Sequence, residues 1–141
     1  MKTTTKKKRG PVTYTELQQG EQMKRIQGYP HYYITNFGRV LSTRPMGNTT
    51  RPSDLREISL SYGNERYFYA NIYNENNYRT SLRVNRLVYQ HFNTNDDSLK
   101  EGYVIDHIDH NKLNNHIDNL RQITPSENTL HYHRTKKNKD E

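Results

Sequence analysis

The chain has 141 residues, enough for one compact domain or two small ones sharing a core. Only 30% of them are hydrophobic, although 12 tyrosines supply amphipathic bulk, so loops and surface make up much of the molecule. There is no Cys, which excludes disulfides and thiolate zinc sites and fits a reducing compartment. No apolar run approaches the ~20 residues that span a bilayer and the N-terminus lacks the apolar core of a secretory signal, so a soluble protein with no membrane partner is expected.

The formal net charge of +7 is unevenly distributed. Met1 to Gly10 carries five basic residues and no acid, and Lys24 to Phe92 holds ten Lys or Arg against four acids. Asn93 to His133 reverses the balance, with three basic and seven acidic residues. A positive first half would bind phosphates and release counterions, while the acidic part could attract a divalent metal. A solubilising basic surface explains the same charge, so composition alone leaves nucleic acid at even odds.

In chain order, the Thr- and Lys-rich segment from Met1 to about Gly20 reads as disordered or loosely attached. "HYYITNFGRVLST" supplies strand formers on both sides of Asn36-Phe37-Gly38, which predicts a tight reversal. Arg44 to Leu55 reads as a loop, with Pro45, Gly47 and Pro52 breaking any ladder. "YFYANIYNENNYRTSLRV" has hairpin grammar, its turn at Asn74 to Asn77. The period then changes: Val84, Leu87, Val88 and His91/Phe92 recur at three- and four-residue spacing and predict a helix with one buried face. Beyond a polar stretch, Tyr103 to Ile108 reads as a strand, Asp109 to Asn119 as an Asn/His/Asp-rich loop and Leu120 to Thr124 as a second strand. Thr124, Pro125 and Glu127 spell a helix start, and that closing helix is expected to run to about His133.

The chemistry concentrates in "YVIDHIDHNKLNNHIDNLRQITPSEN". Asp106 and His107 end the first strand, where period two points neighbouring side chains to opposite faces. Asn128 falls in the first turn of the closing helix. A carboxylate and an amide oxygen are hard ligands, suited to Mg²⁺ or Mn²⁺ with waters completing the shell. A neutral imidazole near pH 7 is a suitable general base if its other ring nitrogen is held. Asn119, across the loop, could supply that hold through its side chain or by shaping the backbone. Asp109, Asn111, Asn114, Asn115 and Asp118 read as residues that knit the loop.

This segment resembles the HNH, or ββα-metal, nuclease motif in the form carried by phage and intron-encoded homing endonucleases. The resemblance lies in the acid-His pair, "IDxNKxNN", "NLR" and "SEN". Upstream, "IQGYPHYYITNFGRVLS" is similar to the modular DNA-binding motif that often precedes this nuclease. The resemblance implies that His107 is the general base and Asn119 the Asn that orients it. It assigns Asp106 and Asn128 as ligands of one Mg²⁺ or Mn²⁺ ion per active site. It further implies hydrolysis of double-stranded DNA, by nicking or double-strand cleavage, to 5′-phosphate and 3′-hydroxyl ends. The working unit would be a monomer or homodimer in the cytoplasm of a bacterial host. Relatives of this type often continue into a helical DNA reader; the 13 residues after Asn128 imply a shorter or more loosely read target.

The expected architecture is α+β: a basic flexible segment (1–23), an N-terminal antiparallel β module with a bracing helix that binds DNA (24–92), the ββα-metal motif (93–133) and a basic tail (134–141). Lys112 and Arg121 flank the site and are candidate phosphate clamps. Arg39, Arg44, Arg51 and Arg56 are candidate DNA contacts on the strand-loop region, with ordinary surface arginine the alternative for each. Two other readings stand beside the nuclease. One is a non-catalytic DNA-binding protein built on an HNH-like fold. The other is an RNA-binding protein, favoured by charge but without an aromatic RNA module.

Overall fold

A computed structural model describes residues 14–45, 54–63, 66–94 and 98–130. The first sheet runs in the order β1 (Met23–Arg25), β2 (Tyr32–Thr35), β3 (Val40–Ser42) and β4 (Arg56–Glu57), all antiparallel. A second sheet joins β5 (Ser61–Tyr62), β6 (Phe68–Tyr73) and β7 (Arg79–Arg83), and leads directly into helix α1 (Val84–Phe92). The last sheet is a hairpin of β8 (Val104–His107) and β9 (Leu120–Ile123), followed by helix α2 over residues 125–130. The chain is thus α+β with small antiparallel sheets, as the sequence implies.

Local chemistry sets these elements. In the Asn36–Gly38 reversal, Gly38 takes φ +89° and donates its N–H to the Thr35 carbonyl, while Thr35 Oγ1 accepts the N–H groups of Phe37 and Arg39. In the β6–β7 turn, Asn74 Oδ1 accepts the N–H groups of Asn76 and Tyr78, and Asn77 sits at φ +64°. Thr124 Oγ1 accepts the Glu127 N–H at 3.1 Å and caps α2 as expected.

Helix α1 is the hub. Its Val84, Leu87, Val88 and Tyr89 bury against strands of all three sheets. One core results, combining Ile26, Ile34 and Val40 with Ala70 and Ile72, and with Ile105 and Leu120 of the last hairpin. Asn85 is buried within it and donates Nδ2–H to the Ile105 carbonyl at 3.0 Å, tying helix to hairpin.

The N-terminal segment differs from expectation. Its described part is anchored: Tyr14 bridges Arg56, the Thr15 N–H donates to the Leu55 carbonyl, and the Gln18 N–H donates to Glu21. Short β1, β4 and β5 were not expected either, since two or three polar, mostly exposed residues carry no alternation to read.

Candidate active site

Strand β8 carries Asp106 and His107 into the molecule rather than out of it: Ile105, Asp106 and His107 are 3%, 9% and 4% exposed. Burial on both faces means that the pair does not divide into one inward and one solvent-facing side chain. Asp106 stands opposite Arg121 in the β8–β9 register, and Arg121 donates Nε–H to Asp106 Oδ2 at 3.0 Å. His107 Nε2 lies 2.7 Å from Asn115 Oδ1. An amide oxygen only accepts, so Nε2 carries the proton and donates it; in the neutral ring Nδ1 is then the lone-pair nitrogen. Burial pushes the His107 pKa below its ordinary 6.5, against the opposing pull of the Asn115 hydrogen bond and the carboxylates of Asp106 and Asp109.

The hairpin loop is knitted by its own polar side chains. Asp109 Oδ1 accepts from the Asn111 N–H and from Asn119 Nδ2, and Asp109 Oδ2 accepts from Asn114 Nδ2. These bonds, led by the one from Asn114, hold the Asp109 carboxyl below its usual range. Asn119 also accepts the Asp109 N–H at 3.0 Å and donates to the Asn114 carbonyl. Its side chain therefore shapes the loop, while the direct hold on the imidazole comes from Asn115. Sequence reasoning counted Asn115 only among the loop-knitting residues.

Asn115 is in turn backed by the distant Asn36–Gly38 reversal. A Cβ added to Gly38 would lie 2.8 Å from Asn115 Cβ and 3.3 Å from its carbonyl carbon and oxygen. The Asn36 carbonyl accepts the Ile117 N–H at 2.9 Å, and the Phe37 ring stacks on His116 at 5.0 Å. The glycine of the upstream motif thus permits the turn to press against the residue that holds His107.

Asn128 is half-buried in the first turn of α2, its N–H donating to the Thr124 carbonyl. Asp106 and Asn128 offer one carboxylate and one amide oxygen, and no group of three His, Cys, Asp or Glu side chains able to hold a metal occurs among the described residues. Such a donor set fits a hard cation that keeps much of its water, as Mg²⁺ does, better than a caged zinc ion.

The candidate DNA contacts separate by burial. Arg39 is engaged within the protein by its own hydrogen bonds. It donates to Glu21 at 2.9 and 2.6 Å, Thr15 Oγ1 at 2.8 Å, Glu57 at 2.5 Å and the Glu16 carbonyl at 2.9 Å. These five bonds match the five N–H groups of a guanidinium. Arg56 is 4% exposed and donates to the Arg44 carbonyl, so it too faces inward, against expectation. Arg44 stacks on Tyr73, 4.0 Å from the ring, and donates to Asn77 Oδ1; Arg51 lies outside the described residues. Lys112 is exposed on the hairpin loop, and Arg121 is partly exposed beside Asp106. In the β6–β7 register Arg79 and Arg83 stand opposite Tyr73 and Tyr69.

Comparison with known proteins converges on this region. The family model described as HNH endonuclease matches residues 83–130, from the end of β7 through α2. A SPbeta prophage-derived protein of Bacillus subtilis (strain 168), YosQ, itself assigned to the HNH homing endonucleases, is 50% identical over 48 residues, 34% of this chain and 26% of its own. An uncharacterised HNH endonuclease of Acanthamoeba polyphaga mimivirus, L245, is 29% identical over 114 residues, 79% of this chain and 30% of its own. The chain therefore spans less than a third of each of these two relatives. Among solved structures, that of the HNH homing endonuclease I-HmuI, described for DNA binding and cleavage, superposes with a TM-score of 0.61 at 29% identity, covering 77% of this chain and 56% of that one. Residues 83–130, with the buried acid-His pair inside them, thus match the HNH endonuclease model, and the fold around them is similar to that of an HNH homing endonuclease.

Proposed function

We propose that the chain is a metal-dependent endonuclease that hydrolyses phosphodiester bonds of double-stranded DNA, with His107 as general base. The observation that carries this reading is the buried His107 imidazole, fixed by Asn115 with Nδ1 left as the lone-pair nitrogen, directly after Asp106 in a strand. A water beside Nδ1 gives it a proton as the water oxygen bonds to phosphorus. The bond from phosphorus to the 3′ oxygen breaks and a second water gives that oxygen a proton, leaving 5′-phosphate and 3′-hydroxyl ends. One Mg²⁺ or Mn²⁺ ion held by Asp106 and Asn128 would stabilise the charge that develops on the phosphate and the leaving oxygen. Arg121, partly exposed beside Asp106, steadies that carboxylate and would meet DNA phosphate. Asn119 acts on His107 through the loop backbone. Whether the outcome is a nick or a double-strand break follows from one or two copies acting at a site.

The test is relaxation of supercoiled plasmid. The expected result is nicking with Mg²⁺ or Mn²⁺, none in EDTA, and nicked circles that DNA ligase reseals. Equal nicking in EDTA would remove the metal from the reading. A duplex mobility shift with no cutting under any metal would favour the non-catalytic DNA-binding alternative.

The Gly38 contact makes a second expectation. Gly38→Ala adds a methyl where Asn115 already stands, so the imidazole is displaced and the rate should fall about tenfold with DNA affinity retained. Gly28→Ala is the control. It bears nearly the same backbone strain, φ +87°, but its added Cβ meets nothing within 4 Å. Equal rates for the two variants would show that the turn does not act on the base.

A further inference from the structure

Arg44 follows β3, is half-buried, and is held from several sides by separate parts of the chain. Its backbone N–H donates to Ser42 Oγ at 3.0 Å and its carbonyl accepts from the Arg56 guanidinium of β4; Ser42 and Arg56 are both buried. Its own guanidinium lies over the ring of Tyr73 at the end of β6, with Cζ 4.0 Å from the centroid. Arg44 Nη2 donates to Asn77 Oδ1 in the β6–β7 turn at 3.1 Å. Asn77 sits there at φ +64°, which glycine adopts as readily, so the turn itself does not need that amide. Arg39 uses five N–H groups inside the protein, whereas the Arg44 guanidinium makes no further hydrogen bond or ion pair among the described residues. A guanidinium presents its N–H groups as two parallel pairs that share Nη2, one at the tip and one on the Nε side. A single bond from Nη2 therefore leaves one pair intact.

We infer that Arg44 reads a guanine of the target DNA, presenting its remaining pair of N–H groups to O6 and N7 at the major-groove edge. A phosphate is met well by a freely turning side chain and needs no fixed plane. A base edge must be met in its own plane and from one direction. A ring beneath the guanidinium and an anchor on one nitrogen supply both constraints. Guanine follows from the donor set. Two parallel donors match its two neighbouring acceptors, while adenine, cytosine and thymine each offer at most one acceptor on that edge. Exposed Arg79 stands opposite Tyr73 in the register, so the same face of the sheet carries a second positive charge toward a polyanion. Tyr73 and Asn77 are positioning residues, as are Ser42 and Arg56 through the backbone. The inference rests on the reading of double-stranded DNA as substrate and adds a sequence preference to it.

The test selects from a library of duplexes with a randomised tract, binding in EDTA, and sequences what each variant retains; wild-type plasmid nicking in Mg²⁺ is run alongside. Wild type should retain sites that share a guanine, preferred about 10- to 100-fold at one position. Arg44→Lys keeps the charge but not the planar pair, and should lose the preference at that position alone while still binding duplex. Asn77→Gly should lose most of it too, although glycine suits φ +64° and keeps the turn. Tyr73→Leu should weaken the preference, and Tyr73→Phe, which keeps the ring, should restore it. A wild-type selection without a guanine preference would overturn the inference. So would a preference that survives in Arg44→Lys, or one unchanged in both Asn77→Gly and Tyr73→Leu. Should Tyr73→Leu fail to fold, Arg44→Lys and Asn77→Gly still decide. Absent nicking with the guanine preference intact would count against the nuclease reading alone, and nicking without any base preference against the guanine reader alone.

Discussion

His107→Ala is expected to lower the rate of plasmid nicking by about 10²- to 10⁴-fold, the range over which a positioned general base contributes. The substitution removes the group that takes the proton and leaves Asn115 Oδ1 without its donor in a buried place. A modest loss of stability should accompany it, about 1–3 kcal/mol for an unsatisfied buried acceptor, which circular dichroism and urea unfolding separate from the rate. DNA binding in EDTA should survive. Unchanged nicking in a folded His107→Ala chain would end the proposed mechanism. The same residue sets a pH pattern. Burial holds its pKa below 6.5, so the ring is neutral and competent across the neutral range, and the rate should decline only as pH falls below 6.5. Stability moves the same way. Below 6.5 the unfolded chain takes up a proton before the folded one, so the native state loses ground as pH falls from 6.5 toward the folded value. In the metal-free protein, an NMR titration that put the His107 ring above 6.5 would contradict this.

Arg39→Ala should act on folding rather than on DNA recognition. Glu21 has a fully buried side chain and Arg39 one that is 17% exposed, so removing the guanidinium strands a carboxylate in the interior. Breaking such a pair costs about 3 kcal/mol or more, a large share of a typical domain's stability, and the melting temperature should drop by about 10 °C. The contact to Glu57, whose side chain is 41% exposed, adds little. Arg39→Lys should recover only part of the loss, because one ammonium cannot make five bonds in that geometry. Burial alone would raise the Glu21 carboxyl, but hydrogen bonds from Arg39, the Gln18 N–H and Thr35 bring it from 4.5 to about 2. Its contribution is therefore present above pH 4.5 and lost as pH falls toward 2. An Arg39→Ala chain that melts like wild type but binds DNA poorly would restore the arginine to the DNA surface.

These two residues mark where the sequence was legible. Helix α1 could be read because its apolar spacing matches the helical period, even though Asn85 is buried beside those residues. The Asn74–Asn77 turn and the Thr124 cap could be read because the residues that make them are adjacent in sequence. Positions 106, 107, 119 and 128 stood out through resemblance; spacing by itself left their roles open. What stayed hidden depends on contacts through space. Arg39 in a basic chain resembles a DNA contact until folding sets Glu21 against it. Asn115 could not be told from its neighbours Asn111 and Asn114, because its reach to His107 depends on how the loop closes. The approach of the Tyr67 ring to within 6.0 Å of that of His107 was hidden too, since nothing near it in sequence announces the imidazole.

The pressure of the Asn36–Gly38 reversal on Asn115 means that the cutting segment is no self-sufficient cassette. A graft carrying only residues 93–133 into a foreign scaffold would deprive Ile105 and Leu120 of the neighbours that cover them, and the imidazole's bracket of its wedge. On the proposed reading the upstream motif and the downstream one work only as a pair, because each is mechanically unfinished without the other.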